Sequence, residues 1–402
     1  ELAVDAGIHC MRYEQPAGEG AYVTRNALMG LITQIEMGHG CPTSMTSGAL
    51  VTLRNQPDIA EIWEPLTVSR NYDKDLKPLP EKTGVLIGMG MTEKQGGSDV
   101  RANTSRAQPV GAGGPGAEYR LEGHKWFTSA PMCDAFLVLA YAPKGMSCFL
   151  VPRVLPDGNR NSLFYLRLKD KLGNRSNASA ELEFSNTAGW LIGEEGRGIP
   201  TIIEMVHSTR LDVANWGVSL MRQAVSQAGW HVANREAFGA QLLDKPLMQN
   251  VLADLEIEVE TATLMITRLS GAHERMDVDD HEKSFARLAT PIAKYWLTKQ
   301  SNPVVREALE CVGGNGYVED SMMPRLYREA PLNAIWEGAG NVIALDIGRA
   351  AAKNPESVTA FLSELEMARG RDSYLDQQLD DLQVTLREPL PEVEARRLVE
   401  KL

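Results

Sequence analysis

The spacing of apolar residues changes twice along the 402-residue chain and divides it into stretches of different character. Up to about residue 80, and again from 193 to 353, apolar residues recur at steps of three and four, which is typical of amphipathic helices. Between 84 and 192, short β-type runs alternate with Gly and Pro turns, which is typical of a compact antiparallel sheet or barrel. The order helical, β, helical predicts an α+β protein with several domains.

The predicted organisation has four parts. We expect an N-terminal helical domain at 1–83, a β domain at 84–192, a C-terminal helical bundle at 193–353 and a helical extension at 354–402. Long helices joined by short connections favour a bundle. The chain begins at Glu1 inside a helical pattern and without a methionine. We therefore expect the N-terminal domain to be truncated at its start.

Turn-forming residues predict where the N-terminal helices begin and end. In a first helix, at 22–37, the apolar positions fall on one stripe, formed by Leu28, Leu31, Ile32 and Ile35. Pro42 follows two nearby glycines and is interpreted as a helix stop, so a second helix is expected at 47–55. A proline is interpreted as the first residue of a third helix at 57–63.

The C-terminal helices are predicted in the same way. Asp244 with Pro246 is interpreted as an N-cap and first turn. Apolar residues then recur at helical spacing from Val251 to Leu269. Further helices are expected at about 200–235, 281–312 and 341–353.

The β domain is predicted from short apolar runs bounded by turns. Strands are expected at 84–88, 118–123, 135–141, 147–154, 163–168 and 180–184. The stretch 110–117 is interpreted as a loop tip, and the Asp-Gly pair within 155–160 as a hairpin-like turn.

Composition narrows the class of protein. With 53 acidic and 41 basic residues the net charge is −12, which argues against broad nonspecific attraction to nucleic acid or to an anionic membrane. The five cysteines are scattered, without a C-x-x-C spacing, and are interpreted as reduced cytosolic thiols with no disulfide framework and no zinc site. The longest apolar runs are too short to span a membrane. These features favour a cytoplasmic protein without a metal site.

The stretch Gly88–Val100, GMGMTEKQGGSDV, is the first candidate for chemistry. Gly96 and Gly97 can adopt positive φ and allow the backbone to approach a ligand closely. Successive N–H groups in such a turn can bind an anion, and Thr92 and Ser98 would add hydroxyls. Ordinary turn chemistry explains the same residues, so the string alone leaves both interpretations open.

Five further strings follow in order along the chain: GHKWFTS at 123–129, GNRSNAS at 173–179, NREAFG at 234–239, ECVGGNGY at 310–317 and IWEGAGN at 335–341. Together with the Gly-rich stretch they resemble the acyl-CoA dehydrogenase flavoprotein family over about residues 1–353. The strings MTEKQGGSDV and KDKLGNRSNAS are similar to its AidB-type branch, the bacterial alkylation-response flavoproteins. In that branch the resemblance continues into the C-terminal helices.

The resemblance implies an FAD site. A flavin needs an aromatic wall, donors at its ring edge and groups that hold its pyrophosphate. Trp126 matches the wall and Thr128 the hydroxyl placed near flavin N5, although a core tryptophan explains Trp126 equally well without this context. Cofactor-binding residues implied by the resemblance are Met91, Thr92, Gly97, Ser98, Trp126, Phe127, Thr128, Ser129, Arg235, Phe238, Gly313, Gly314 and Asn341.

The resemblance also implies the reaction. The family removes an α-proton from an acyl-CoA while the β-hydrogen leaves as hydride to the flavin, and Glu337 matches the base. A carboxylate in a dry pocket suits that role because burial raises its pKa toward neutrality, whereas a solvated glutamate at a helix start is the alternative. Ser98, Arg210 and Trp336 match positions near the substrate. A salt-bridging arginine is the alternative for Arg210.

Arg235 and Phe238, in R-x-x-F-G, match residues that reach the FAD of a neighbouring subunit. A guanidinium group suits a pyrophosphate, and a surface arginine at a helix end is the alternative. Gly313 and Gly314 would let a helix end approach the same cofactor, or would simply stop the helix. The resemblance thus implies a homotetramer with FAD sites shared between subunits.

Three functions remain open. The first is an AidB-like FAD-dependent dehydrogenase of acyl-CoA-type substrates, linked to the response to DNA alkylation. The second is a protective flavoprotein that binds double-stranded DNA with little turnover; the extension, with 11 acidic and 6 basic residues, offers few phosphate contacts. The third is an ordinary catabolic dehydrogenase of short or branched acyl-CoAs, which would need a roomier pocket than Trp336, in place of the family's tyrosine, suggests.

Overall fold

The computed structural model describes residues 1–14, 19–386 and 391–402. The chain forms two compact units. The first unit contains residues 1–14 and 36–209, and the second contains residues 15–35 and 210–402. The domain boundaries expected from the sequence, at 83, 192 and 353, stay predictions.

The described α-helices are, in chain order, α1 (Leu2–Asp5), α2 (Met11–Glu14), α3 (Ala21–Ile35), α4 (Gly40–Leu53), α5 (Pro57–Thr67), α6 (Gly198–Asn234), α7 (Pro246–Arg275), α8 (Asp280–Val312), α9 (Met323–Asn333), α10 (Gly340–Lys353), α11 (Pro355–Glu366), α12 (Ser373–Thr385) and α13 (Ala395–Val399). None of the helices in the described ranges is long and apolar enough to cross a membrane.

The described strands are β1 (Ile87–Gly90), β2 (Arg106–Pro109), β3 (Glu118–Ser129), β4 (Ala135–Ala142), β5 (Gly145–Pro152), β6 (Leu163–Leu168), β7 (Ser179–Ile192), β8 (Glu236–Ala237) and β9 (Ala240–Gln241). The first seven form one sheet in the order β1-β4-β2-β3-β7-β5, with β6 on β7. Strand β5 also pairs with β4, which closes the sheet into a barrel. The predicted β domain is therefore a barrel, and the predicted α+β fold is confirmed.

Three features of this barrel differ from the sequence prediction. Strand β1 pairs with β4 in parallel, so the sheet is mixed rather than purely antiparallel. The predicted strands at 118–123 and 180–184 extend to Ser129 and Ile192, because the two chains continue to pair beyond the predicted ends. Strand β2 was missed, since a four-residue segment ending in proline carries little β signal.

Pro42 does not stop a helix. It is the third residue of α4, which begins at Gly40 rather than at 47. A proline is tolerated there because the first four N–H groups of a helix have no partner within the helix. Almost all of α4 is buried, and Thr46 Oγ1 accepts a hydrogen bond from the N–H of Ile87 (3.0 Å), which fixes the start of β1.

Helix α3, in the second unit, does not bury the apolar stripe that its sequence predicts. Leu31 and Ile35 are largely exposed, whereas Arg25 is fully buried. The Arg25 guanidinium binds both carboxylate oxygens of Asp212 on α6 (2.7 and 2.8 Å). A buried ion pair with two hydrogen bonds offsets its desolvation cost, and apolar periodicity cannot reveal such a pair.

The rest of the second unit is helical apart from the short strands β8 and β9. Lys245, rather than Asp244, is the N-cap of α7, although Pro246 is its first residue as expected. Helix α9 was missed, while α6, α8 and α10 lie close to their predicted bounds. The extension is helical, as predicted, in α11, α12 and α13.

Candidate active site

The Gly-rich stretch is joined to strand β3 by backbone pairing. Thr92 and Phe127 form a β-bridge, and the N–H of Trp126 donates to the carbonyl of Thr92 (2.8 Å). Glu93 and Gly96 exchange two backbone hydrogen bonds, which closes a tight turn. The structure therefore brings together one predicted group, which we call the wall cluster: Met91, Thr92, Gly97, Ser98, Trp126, Phe127, Thr128 and Ser129.

A buried ion pair that the sequence analysis missed holds this junction. Lys125 Nζ lies 2.8 Å from Glu93 Oε1, and neither side chain is exposed. Burial alone would raise the pKa of Glu93, but the Lys125 ammonium and hydrogen bonds from Ser105 and Thr104 hold it at about 2. The Glu93 carboxylate is thus ionised, and it ties the loop to β3 directly beside Thr92 and Trp126.

Cationic side chains surround the predicted aromatic wall. Lys169 Nζ lies 3.2 Å from the centroid of the Trp126 ring, and Lys94 Nζ lies 4.9 Å from it. Arg167 adds a third cation at 5.9 Å, while Glu181 pairs with both Arg167 and Lys169. Three cations against one carboxylate leave this aromatic surface with excess positive charge, which suits an anionic ligand.

Thr128 carries a buried hydroxyl without a hydrogen-bond partner among the described residues. Such a group costs about 1–3 kcal/mol unless a ligand or water completes it. Glycine leaves room beside it, because a Cβ at Gly90 would lie 3.1 Å from Thr128 Oγ1. A cofactor with a polar ring edge fits this orphaned hydroxyl and the adjacent aromatic wall.

In the second unit, Glu337 lies in the connection between α9 and α10, residues 334–339, which we call the base turn. Its backbone is left-handed (φ +55°), and Gly338 follows at φ +109°. A non-glycine residue with this backbone conformation is strained, and the conformation persists only where the surrounding structure holds it. Glu337 itself is half-buried.

Two cationic side chains hold the base turn. Arg210 Nε donates to the carbonyl of Glu337 (3.1 Å), and Lys294 Nζ donates to the carbonyl of Gly338 (2.5 Å). The guanidinium of Arg210 also binds Asp346 on α10 (2.6 Å). Arg210 is therefore a salt-bridging residue that also holds the turn, and its place near a substrate stays a prediction.

Lys294 was missed by the sequence analysis, although a lone lysine inside the apolar run PIAKYWL was a visible signal. The side chain is buried, with 1% exposed. Burial lowers the pKa of Lys294 to about 7, although the nearby Glu337 carboxylate opposes the shift. Lys294 thus titrates near neutrality next to the predicted base.

Trp336 is fixed on both sides of its indole. Its Nε1 donates to Asn333 Oδ1 (3.1 Å), and its ring packs against that of Trp216 at a centroid distance of 5.4 Å. Trp216 is buried, and its own indole N–H has no partner among the described residues. The bulky side chain beside Glu337 therefore has little freedom to move aside.

Arg235 and Phe238 belong to a β-hairpin at the end of α6. Strands β8 and β9 are joined by Phe238 and Gly239, both with positive φ (54° and 74°), which is a type I′ turn. Phe238 is 94% exposed at the tip, and Arg235 is exposed too. The fold of this unit presents an aromatic ring to the outside rather than burying it.

The remaining predicted residues lie at helix ends. Gly313 (φ +67°) follows α8, and no described atom lies within 4 Å of a Cβ built at Gly313 or Gly314. Asn341 is exposed in the first turn of α10. The space beside the two glycines is open to a ligand.

Helix geometry separates these groups within the second unit. Helix α6 continues 24 residues beyond Arg210 to Asn234, which corresponds to about 36 Å. Helix α8 continues 18 residues beyond Lys294 to Val312, or about 27 Å. The structure brings Arg210, Trp336 and Glu337 together, and it places the hairpin and the glycine pair far along the helices from them.

Three family descriptions match the chain in succession. "Adaptive response protein AidB N-terminal domain" matches residues 1–74, "Acyl-CoA dehydrogenase, middle domain" matches 88–187, and "Acyl-CoA dehydrogenase, C-terminal domain" matches 196–352.

Individual relatives agree with these matches. The chain is 46% identical to AidB of Escherichia coli (strain K12) over 388 residues, which is 96% of this chain and 71% of that protein. It is 33% identical to acyl-CoA dehydrogenase family member 11 of Caenorhabditis elegans, over 84% of this chain but only 56% of that protein. The crystal structure of Caenorhabditis elegans ACDH-11 in complex with C11-CoA is similar, with a TM-score of 0.89 and 28% identity over 99% of this chain and 72% of that one.

Proposed function

The chain belongs to the acyl-CoA dehydrogenase family, and we propose that it dehydrogenates an acyl-CoA-type substrate between its α and β carbons. The family consists of oxidoreductases and typically binds FAD. Bound FAD would supply the acceptor for the hydride that leaves the β carbon. The remaining work, which is to bind, orient and deprotonate the substrate, falls to the residues of the chain.

Glu337 is the proposed base, and the base turn is the observation that carries the proposal. Two cations from two helices hold its backbone in a left-handed conformation that costs about 1–3 kcal/mol. Maintaining such strain suits a side chain that must point at a substrate α carbon. The half-buried position limits solvation of the carboxylate, which favours proton abstraction.

We propose that the wall cluster holds the flavin. Trp126 would provide the aromatic wall, and the Thr128 hydroxyl would gain its missing partner at the ring edge. The cations Lys94, Arg167 and Lys169 would offset the negative charge of the cofactor. In the same site, Ser98 would contact the acyl chain of the substrate.

We further propose a homotetramer in which each FAD site takes residues from two chains. About 36 Å of helix separates Arg210 from the hairpin, so Arg235 and Phe238 are badly placed to serve the site at their own Glu337. An exposed phenylalanine on a rigid I′ turn suits insertion into a second copy. Arg235 would bind the pyrophosphate, and Gly313, Gly314 and Asn341 would leave room for the cofactor.

The substrate class follows from Trp336. Its ring is fixed by Asn333 and Trp216, so the acyl pocket beside Glu337 would be narrower than with tyrosine. ACDH-11 was solved with C11-CoA, and we expect shorter, unbranched acyl chains here.

A part in the response to DNA alkylation is proposed from the match to the AidB N-terminal domain. Direct binding of double-stranded DNA stays a prediction. Arg369 and Arg397, two arginines of the extension, bind the carboxylates of Glu366 and Glu394. Pairing of this kind leaves less positive charge for phosphates.

The test is anaerobic titration of the purified protein, loaded with FAD, with straight and branched acyl-CoAs. We expect bleaching of the flavin absorbance with short, straight thioesters, and loss of bleaching by at least about a thousandfold in Glu337→Gln. Glu356→Gln, on an exposed glutamate of α11, is the matched control and should bleach normally.

Protein that cannot be loaded with FAD would refute the flavin site. Bleaching that persists unchanged in Glu337→Gln would refute the assignment of the base. A wild-type protein that holds FAD, bleaches with no acyl-CoA and binds duplex DNA in a salt-sensitive way would favour the protective function instead.

A further inference from the structure

Lys294 is a buried side chain whose Nζ donates a hydrogen bond to the carbonyl of Gly338 (2.5 Å). It lies on α8, whereas the base turn connects α9 and α10. The side chain thus crosses between helices to reach the backbone next to Glu337. Placing a lysine amine in an apolar helix interface is costly, and ordinary packing would be better served by a methionine or leucine.

We infer that Lys294 is a positioning residue for the proposed reaction: it fixes the Gly338 carbonyl and so the left-handed backbone of the residue that follows Glu337, and its charge sets the basicity of the Glu337 carboxylate. The inference rests on the proposed role of Glu337 as base. It adds a residue to the site that the sequence motifs do not include.

The positioning role follows from the paired carbonyls. Arg210 holds the carbonyl of Glu337, and Lys294 holds that of the next residue. With both carbonyls fixed, the two peptide planes that flank the Gly338 Cα cannot rotate independently. Losing one donor would leave a partly buried carbonyl without this partner and release half of the restraint.

The electrostatic role follows from the charges around Lys294. Glu337 favours its protonated form, whereas Arg210 and Lys299 disfavour it. On the helices that pack against α8, other charged groups bind elsewhere: Asp346 with Arg210 and Arg287, Arg268 with Glu282 and Glu364, Arg328 with Glu319, and Glu400 with Tyr295. Glu337 is therefore the carboxylate that responds most directly to the charge on Lys294.

Since the pKa of Lys294 is lowered to about 7, its charge changes near neutral pH. A protonated neighbour stabilises the Glu337 carboxylate and makes it a weaker base. A neutral amine keeps the N–H donor but removes that stabilisation. We expect proton abstraction to become faster as pH rises through about 7.

The first measurement does not depend on catalysis. Hydrogen exchange by mass spectrometry is compared in FAD-loaded and apo protein for peptides that cover residues 334–340. Lys294→Met should exchange there at least tenfold faster, and Lys294→Arg, which keeps a donor, should remain closer to wild type. Lys283→Met, on an exposed lysine of the same helix, is the control and should change nothing. Unchanged exchange in Lys294→Met would overturn the positioning role.

The second measurement is the rate of flavin bleaching by an acyl-CoA between pH 6 and 9. Wild type should rise through about pH 7, while Lys294→Arg, charged throughout, should stay slow and lack this rise. A rise that persists unchanged in Lys294→Arg would overturn the electrostatic role. If wild type does not bleach at all, the proposed function fails instead, and the exchange result still decides the positioning role.

Discussion

The Lys125 ammonium lies 2.8 Å from the Glu93 carboxylate, and neither side chain is exposed to solvent. The pair joins the Gly-rich loop to β3, between the two strings that suggested a cofactor site. Both residues lie inside those strings, in MTEKQGG and in GHKWFTS. Part of what makes the strings recognisable is therefore the ion pair that holds the loop in place.

Breaking this pair should be costly. Glu93→Gln leaves a buried lysine without its partner, and we expect a loss of about 3–5 kcal/mol in the free energy of unfolding. The double variant Glu93→Gln/Lys125→Met should lose less than the sum of the single changes, because no uncompensated charge remains. Denaturant unfolding of the four proteins measures the coupling, and strict additivity would contradict it.

The pair also predicts an acid dependence of stability. The pKa of Glu93 is lowered from its usual value near 4.5 to about 2, so its contribution is complete above 4.5 and is lost as pH falls toward 2. The shift corresponds to about 3 kcal/mol. The stability difference between wild type and Glu93→Gln should shrink across this window, and a constant difference would argue against an ionised Glu93.

Lys294 should make stability depend on pH in a second, higher window. Its pKa is lowered from 10.5 to about 7, so between these values the unfolded chain binds a proton that the folded chain does not. Stability then rises with pH over this range, by up to roughly 5 kcal/mol. Relative to Lys294→Met, wild type should gain stability from pH 7 to 10, as measured by urea unfolding. If the free energies of unfolding of the two proteins changed in parallel with pH, Lys294 could not be a group that loses its charge in this range.

Thr128→Val tests whether the Thr128 hydroxyl contributes to cofactor binding rather than to the stability of the fold. Replacing an unpartnered buried hydroxyl by a methyl group should leave the apoprotein as stable as wild type, or about 1 kcal/mol more so, while FAD affinity falls about five- to tenfold. Thr46→Val is the matched control, because its buried hydroxyl is hydrogen-bonded to Pro42 and Ile87 and its loss should destabilise. Apo unfolding and FAD titration distinguish the two, and unaltered FAD affinity in Thr128→Val would contradict the assignment.

Phe238→Ser tests the exposed hairpin. The side chain is 94% exposed, so we expect no loss of stability within one chain but weaker assembly and faster release of FAD. Light scattering after gel filtration, together with flavin retention, measures both. Val393→Ser, another largely exposed apolar residue, should behave as wild type. A Phe238→Ser protein with unchanged assembly and retention would rule out this contact.

The sequence predicted the order of helices and strands well, because apolar spacing records which face of an element is buried. It failed where polar groups are buried in pairs. Arg25 with Asp212 reversed the expected face of α3, and Lys294 was overlooked although it interrupts an apolar run. In each case the stabilising partner lies far away in sequence and leaves no periodic signal.

The candidate site shows the same division. Short motifs pointed to Trp126, Thr128 and Glu337, but the Arg210 and Lys294 hydrogen bonds that hold the base turn join residues 127 and 44 positions apart. The left-handed backbone of Glu337 was equally invisible, since glutamate rarely adopts it. Motifs thus indicated which side chains matter and not what keeps them in position.

The length of α6 has a genetic consequence. If the hairpin of one chain completes the site at the Glu337 of another, a chain altered at Arg235 still supplies an intact base, and a chain altered at Glu337 still supplies an intact hairpin. Mixed assemblies of two such inactive alleles would contain some sites built only from intact parts. Co-expression would then restore activity that neither allele has alone, as intragenic complementation.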